Sequence, residues 1–397
     1  MIIPTTARTH RATLFKAVLL AAGLGAALAS CGGGSGNPGG SSAAYTPPVA
    51  TTPAPPVSTT PPATTAAFVA TDVVADSGTG ATHLDPKLLN AWGIAFNPTG
   101  FVWVANQGSS TSTLYDGKGV AQSLVVAIPA GAGSNAGPTG IVYNGTQDFK
   151  VSKNGVSGVA AFIFVGTGGT VSGWSPAVDR TNAVTMVDTA ANGAGPAAYT
   201  GLTLSSYAGV NYLYAADFRN GRVDVYDPTW RKVTLPGGGF SDPNLPSGYA
   251  PFGIQAIGER IYVTYAQHAP SGPRENLGPG LGIVDVFDAS GALVRRFASN
   301  GALNAPWGVA LAPAGFTGFA NMLLIGNFGD GKINVFDPAS GAMVGTLAKA
   351  DKTPIAIDGL WGIGFGNGLN DQPANTLFYA AGPSDGAHGV YGRIDPQ

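Results

Sequence analysis

From residue 68 onward the chain alternates short apolar runs with glycine-rich polar turns, and the runs recur in one internal order. Each unit opens on a short segment built around a glycine: Trp92-Gly93-Ile94-Ala95-Phe96, Thr139-Gly140-Ile141-Val142-Tyr143, Thr200-Gly201-Leu202-Thr203-Leu204, Phe252-Gly253-Ile254-Gln255-Ala256, Trp307-Gly308-Val309-Ala310-Leu311 and Trp361-Gly362-Ile363-Gly364-Phe365. The aligned glycines are 47, 61, 52, 55 and 54 residues apart. A second run follows each time: FVWVA (101–105), AFIFV (161–165), YLYAA (212–216), IYVTY (261–265), MLLIG (322–326) and TLFYA (376–380). Such runs are too short for core helices and rich in β-branched and aromatic side chains, so they predict strands. A third, alternating run ends near Asp in most units, as in STLYD (112–116), VDVYD (223–227), IVDVFD (283–288) and INVFD (333–337), and turns such as DASG and DPASG lead to a fourth.

Four antiparallel strands in about 50 residues, six times over, predict an all-β fold, a six-bladed β-propeller. The sixth unit stops after its third strand at Asp395, while an orphan run, Phe68-Val69-Ala70-Thr71-Asp72-Val73-Val74, precedes the first unit. Pairing this N-terminal strand, about 68–75, as the outer strand of the last blade closes the ring and covers an open edge.

Strand direction in a propeller places the turns between second and third strands on the same face as the connections between blades. That face therefore gathers segments 77–90, 106–110, 166–169, 217–221, 266–280, 327–331 and 382–388, with His83, His268 and His388 among them. Imidazoles from different blades meeting at a channel mouth, with Asp85, Asp217 or Asn327 beside them, would hold a divalent metal such as Ca or Zn in a structural or Lewis-acid role. The alternative is that each His caps a loop or bonds a nearby carbonyl. Asp116, Asp227, Asp288 and Asp337 precede turn residues, where a carboxylate accepts backbone N–H bonds. Trp92, Trp307 and Trp361, each just before an inner-strand glycine, either line the mouth as a surface for ligand stacking or pack between blades. Arg219, in segment 217–221, and Arg274, beside Glu275 in the longest face loop, complete the candidate ligand-lining set; that loop is either a specificity element or a spacer.

Composition sharpens this picture at the N-terminus. The 397 residues include 60 Gly and 30 Pro and are only 11% charged, which suits many short strands joined by turns. Arg8, Arg11 and Lys16 precede an apolar run from Ala17 to Ala29, too short to span a bilayer, so residues 1–30 read as a signal peptide. Leu28-Ala29-Ser30-Cys31 resembles the lipobox of bacterial lipoproteins, which implies acylation of Cys31 and a membrane partner through the lipid. Gly32 in the next position favours, by the same resemblance, the outer membrane, facing the periplasm or the cell surface. Residues 31–66, rich in Gly, Ser, Pro and Thr, read as a disordered linker, leaving 67–397 for the propeller. Cys31 is the only cysteine, which excludes disulfides within the chain and a Cys-cluster metal site. The leader holds three of the 20 Lys and Arg and none of the 22 acids, so the remainder carries −5 and no nucleic-acid partner is expected.

There is no G-x-S-x-G elbow, H-E-x-x-H, P-loop, EF-hand loop or Rossmann fingerprint after a strand. With THLDPKLLNAWGIAF, LNAPWGVAL, IGNFGDGKINVFDPASG and IDGLWGIGFGNG in view, the segment 68–397 resembles an uncharacterised family of exported bacterial proteins with NHL-like propeller repeats. The resemblance implies the fold and export and transfers no catalytic residue. Two functions follow as expectations: a binding or scaffold module taking a small molecule, glycan or protein on the loop face, or a metal-dependent lyase or hydrolase with its site at the channel mouth.

Overall fold

The structure, a computed structural model, describes residues 66–132, 135–192 and 196–397. The signal peptide, Cys31 and nearly all of the linker lie outside the described residues. Six antiparallel sheets follow one another along the chain, their inner strands being Ala91–Phe96, Pro138–Tyr143, Tyr199–Tyr207, Tyr249–Ile257, Pro306–Leu311 and Leu360–Phe365. Each inner strand packs on the next and the sixth packs on the first, so the sheets form a closed ring, a six-bladed β-propeller. In blade 6 the order from the channel outward is Leu360–Phe365, Leu377–Ala381, Val390–Pro396 and then Phe68–Ala75. The last two run antiparallel, with Phe68 opposite Pro396 and Ala75 opposite Val390, so the N-terminal strand supplies the missing rim.

The recurring glycines have a steric cause. Where inner strands converge on the channel, a Cβ on Gly93 would lie 2.3 Å from the carbonyl oxygen of Thr139 in the next blade, and one on Gly253 would lie 2.2 Å from that of Trp307. No side chain fits at that separation, so glycine lets neighbouring strands touch through their backbones. Farther out the space between blades widens and large side chains fill it, in six apolar clusters, one at each blade junction. Phe68 belongs to the junction of blades 5 and 6, buried against Phe316 and Phe319 with ring centroids 5.1 and 6.0 Å away.

The four repeated Asp residues do what turn chemistry requires: Asp116, Asp227, Asp288 and Asp337 each accept hydrogen bonds from two or more backbone N–H groups of the following turn. Two features go beyond the repeat. The 61-residue step between Gly140 and Gly201 is long because a separate hairpin, Lys150–Lys153 with Val156–Val159, is inserted before the second strand of blade 2. The longest face loop is itself partly a hairpin, Glu275–Asn276 pairing with the end of Arg260–His268.

Candidate functional site

The channel has two mouths and a narrow waist. At the waist the inner-strand glycines and Trp307 leave about 30 Å³, room for little more than a water molecule. The mouth opposite the loop face holds about 450 Å³ lined by strand-end side chains such as Ile94, Phe96, Leu204, Val309 and Phe365, with no charged group. The loop-face mouth holds about 400 Å³ and is chemically different, because residues from all six blades contribute to it and its rim is polar.

Its floor is aromatic. Trp92 and Trp361 stack at 3.6 Å, and Phe328 lies on the other face of Trp361 at 4.0 Å. Phe252 lies 5.6 Å from Trp361 and 5.0 Å from Phe218, while Trp307 meets Trp361 edge-on at 6.0 Å. These rings form one buried cluster that closes the channel above the waist. The tryptophans thus pack against one another across the axis, and their cluster is also the base of the cavity. Trp92 and Trp361 line the loop-face cavity, whereas Trp307 lines the waist and donates its indole N–H to the Thr200 carbonyl at 2.9 Å.

Around the floor stand Asn90, Gln107, Thr167, Thr200, Arg219, Arg274, Glu275 and Asp385. Asn90 donates through Nδ2 to Gln107 Oε1 at 3.1 Å. Arg274 makes a two-pronged pair with Asp385, which ties the long loop of blade 4 to the 382–388 turn of blade 6, and its guanidinium also lies 3.6 Å from Glu275. The Asp385 pair raises the Arg274 pKa and holds the Asp385 carboxyl below the usual range. Asp385 and its neighbour Ser384 both have left-handed backbone, φ 60° and 55°, which turns the chain sharply to aim the carboxylate across the rim. Arg219 donates one Nη hydrogen to the Pro196 carbonyl at 3.0 Å and forms no ion pair among the described residues.

The histidines do not meet here. His83 belongs to a short strand at the outer rim of blade 6, paired with Val74. His388, exposed, contacts Ser77 at 3.2 Å and the Asp76 carboxylate at 3.1 Å; although partial burial works upward on Asp76, the Gly389 N–H and His388 hold its pKa below the ordinary value. His268 lies over the Phe218 ring with centroids 4.3 Å apart. Asp85 accepts the Tyr115 hydroxyl at 2.9 Å. Asp217 is buried, accepting from the exposed Asn220 and pairing with the exposed Arg222, and Asn327 donates to the Ala302 carbonyl and to Asp330. Among the described residues no three His, Cys, Asp or Glu side chains lie close enough together to hold a metal ion.

Trp92, Trp361, Arg219 and Arg274, singled out from sequence, all line one cavity. Sequence reasoning missed Phe218, Phe252 and Phe328, and the only signal for two of them was an aromatic directly after the acid or amide ending a second strand, Asp217-Phe218 and Asn327-Phe328.

No protein-family model matches the chain. Among solved structures, the PQQ-bound aldose sugar dehydrogenase from Streptomyces coelicolor is 13% identical with a TM-score of 0.47, over 85% of this chain and 100% of that one. The uncharacterized protein R648 of Acanthamoeba polyphaga mimivirus is 31% identical over 326 residues, 81% of this chain and 78% of the relative. The uncharacterized protein L690 of the same virus is 32% identical over 287 residues, 71% and 75% of the two chains. Both relatives are viral and give no support to the bacterial source that the sequence resemblance implied. At that identity and coverage the chain belongs to the same family as R648 and L690.

Proposed function

We propose that this chain is a binding module whose loop-face mouth takes a small ligand. One observation carries the reading: an aromatic floor lies beneath a rim of amide, hydroxyl and charged side chains drawn from five of the six blades, in a cavity of about 400 Å³. A volume of that size, apolar at the base with a few converging polar groups, is what small-molecule sites provide. The opposite mouth is as large but has no charged group to fix a ligand's orientation. The metal-dependent alternative gains nothing from the placement of the histidines, which have separate partners, His83 and His388 beside the closing strand of blade 6 and His268 on the Phe218 ring.

A small-molecule fragment screen on the full-length, ¹⁵N-labelled chain tests the reading, because each of the six tryptophans gives one indole N–H resonance. Hits are expected to move the signals of Trp92 and Trp361. Those of Trp103, Trp174 and Trp230, which lie in blade-junction clusters, should stay in place. Hits confined to other signals, or none at all, would contradict a site at this mouth.

For location, the lipobox-like tetrad supports acylation at Cys31, and Gly32 in the next position supports the outer membrane. Phe68 pairs with Pro396 at the end of the strand remote from the 382–388 turn, so the chain enters the ring on the face opposite the cavity. Metabolic labelling with a radioactive fatty acid should mark the chain and not its Cys31→Ser variant; equal labelling of both, or of neither, would overturn the anchor.

A further inference from the structure

Resting on the cavity as a ligand site, the unsatisfied groups at its base and rim define the class of ligand. Trp92 and Trp361 are 7% and 3% exposed, and neither indole N–H has a hydrogen-bond partner among the described residues. Buried donors are nearly always bonded, so two unmet ones in the lining of a single cavity call for an acceptor from outside the chain. At the same base Asn90 Oδ1 is also unmet. On the rim the charges sort unevenly. Arg274, Glu275 and Asp385 satisfy one another, whereas among the described residues Arg219 meets no carboxylate and keeps four of its five N–H donors beyond the one given to Pro196. Between Arg219 and Trp361 the adjacent rings of Phe218 and Phe252 form a continuous apolar surface.

We infer that the mouth binds a small organic acid: a carboxylate held by Arg219, a flat or apolar body over Phe218 and Phe252, and a second acceptor oxygen facing the indole N–H groups. A guanidinium offers a carboxylate two parallel charge-assisted bonds, which a neutral amide cannot match. A cationic ligand leaves both the indoles and Arg219 unmet. A purely apolar one leaves every donor unmet.

The test compares 4-hydroxyphenylacetate with its neutral amide, 4-hydroxyphenylacetamide, each titrated to about 10 mM into the full-length chain while the indole resonances are followed. The acid is expected to shift Trp92 and Trp361 and to bind at least about tenfold more tightly than the amide. Arg219→Gln should abolish that preference by weakening the acid far more than the amide, and Arg219→Lys should restore part of it. Arg219 is exposed, so both variants keep the fold, which the unshifted signals of the other tryptophans verify. Equal binding of acid and amide, or a preference untouched by Arg219→Gln, overturns the organic-acid assignment and leaves the mouth standing as a site. If neither probe moves the two indoles while unrelated fragments do, the assignment fails in the same way. If nothing moves them, the site itself fails with it.

Discussion

Trp361 is where fold and site coincide, and replacing it separates the two. Its ring touches Trp92, Phe252, Trp307 and Phe328 and is almost wholly buried, so Trp361→Ala deletes the centre of the aromatic floor. Truncating a buried Trp to Ala costs about 3–5 kcal/mol, the lost transfer free energy plus the cavity left behind. In a large domain each kcal/mol is worth roughly 2 °C, so the melting temperature should fall by roughly 6–10 °C. Trp361→Phe is the informative partner. Because Nε1 has no hydrogen-bond partner among the described residues, this change breaks no bond seen there and removes only part of the ring. Swaps that largely preserve apolar volume cost less than about 1.5 kcal/mol, so a loss of roughly 3 °C at most is expected. Both variants and the parent are to be melted by differential scanning calorimetry at one scan rate, without ligand. If Trp361→Phe falls as far as Trp361→Ala, the indole N–H has a structural role and does not await a ligand.

Gly253→Ala drives a Cβ to 2.2 Å from a carbonyl oxygen of the next blade, whereas the nearest approach at Gly201 is 3.1 Å; melting should show Gly253→Ala losing at least about 1–3 kcal/mol and Gly201→Ala distinctly less, and equal losses would refute the steric account of the repeat. Arg274→Gln removes an ion pair whose members are 57% and 68% exposed, so stability should change by about 1 kcal/mol or less; a larger loss would show the strap to be part of the core. Burial pushes the Asp285 carboxyl up to about 7, only partly offset by Arg296, with Asp242 adding to the rise. A native value above the unfolded one, about 3.9, means that the folded state holds the extra proton. Its contribution is therefore complete below pH of about 4 and is lost as pH rises to about 7, so denaturant midpoints of the parent should fall across that range relative to Asp285→Asn. Parallel profiles would contradict the burial argument.

What could be read from the sequence was decided by order along the chain. The recurrence of glycine, β-rich run and Asp turn fixes the number of blades, and the orphan strand fixes the closure, because an unpaired edge next to a blade lacking its rim admits one economical partner. Strand direction fixes which face a turn occupies, which is why Arg219 and Arg274 were found with Trp92 and Trp361. Direction does not fix radius. His83 and His388 share a face with the cavity yet lie out beside the closing strand, at Val74 and Asp76, because their segments wrap around the rim of blade 6. Only His268 lies beside a lining ring, and it packs on Phe218. The inserted hairpin at 150–159 announced itself only as an overlong step, and the pairing of Arg274 with Asp385 had no local signal, since 111 positions separate them.

Residues 68–75 complete the sixth blade, the last piece of the ring on which the common mouth stands. Thr71 lies opposite Arg393 across the two strands, a separation that suits a disulfide. In a Cys31→Ser background, where no other thiol exists, Thr71→Cys with Arg393→Cys should lose both free thiols on mild oxidation, as monomer, and melt higher than its reduced form. Thiols that stay free under those conditions, or that join only between molecules, would show that the N-terminal strand does not complete the last blade.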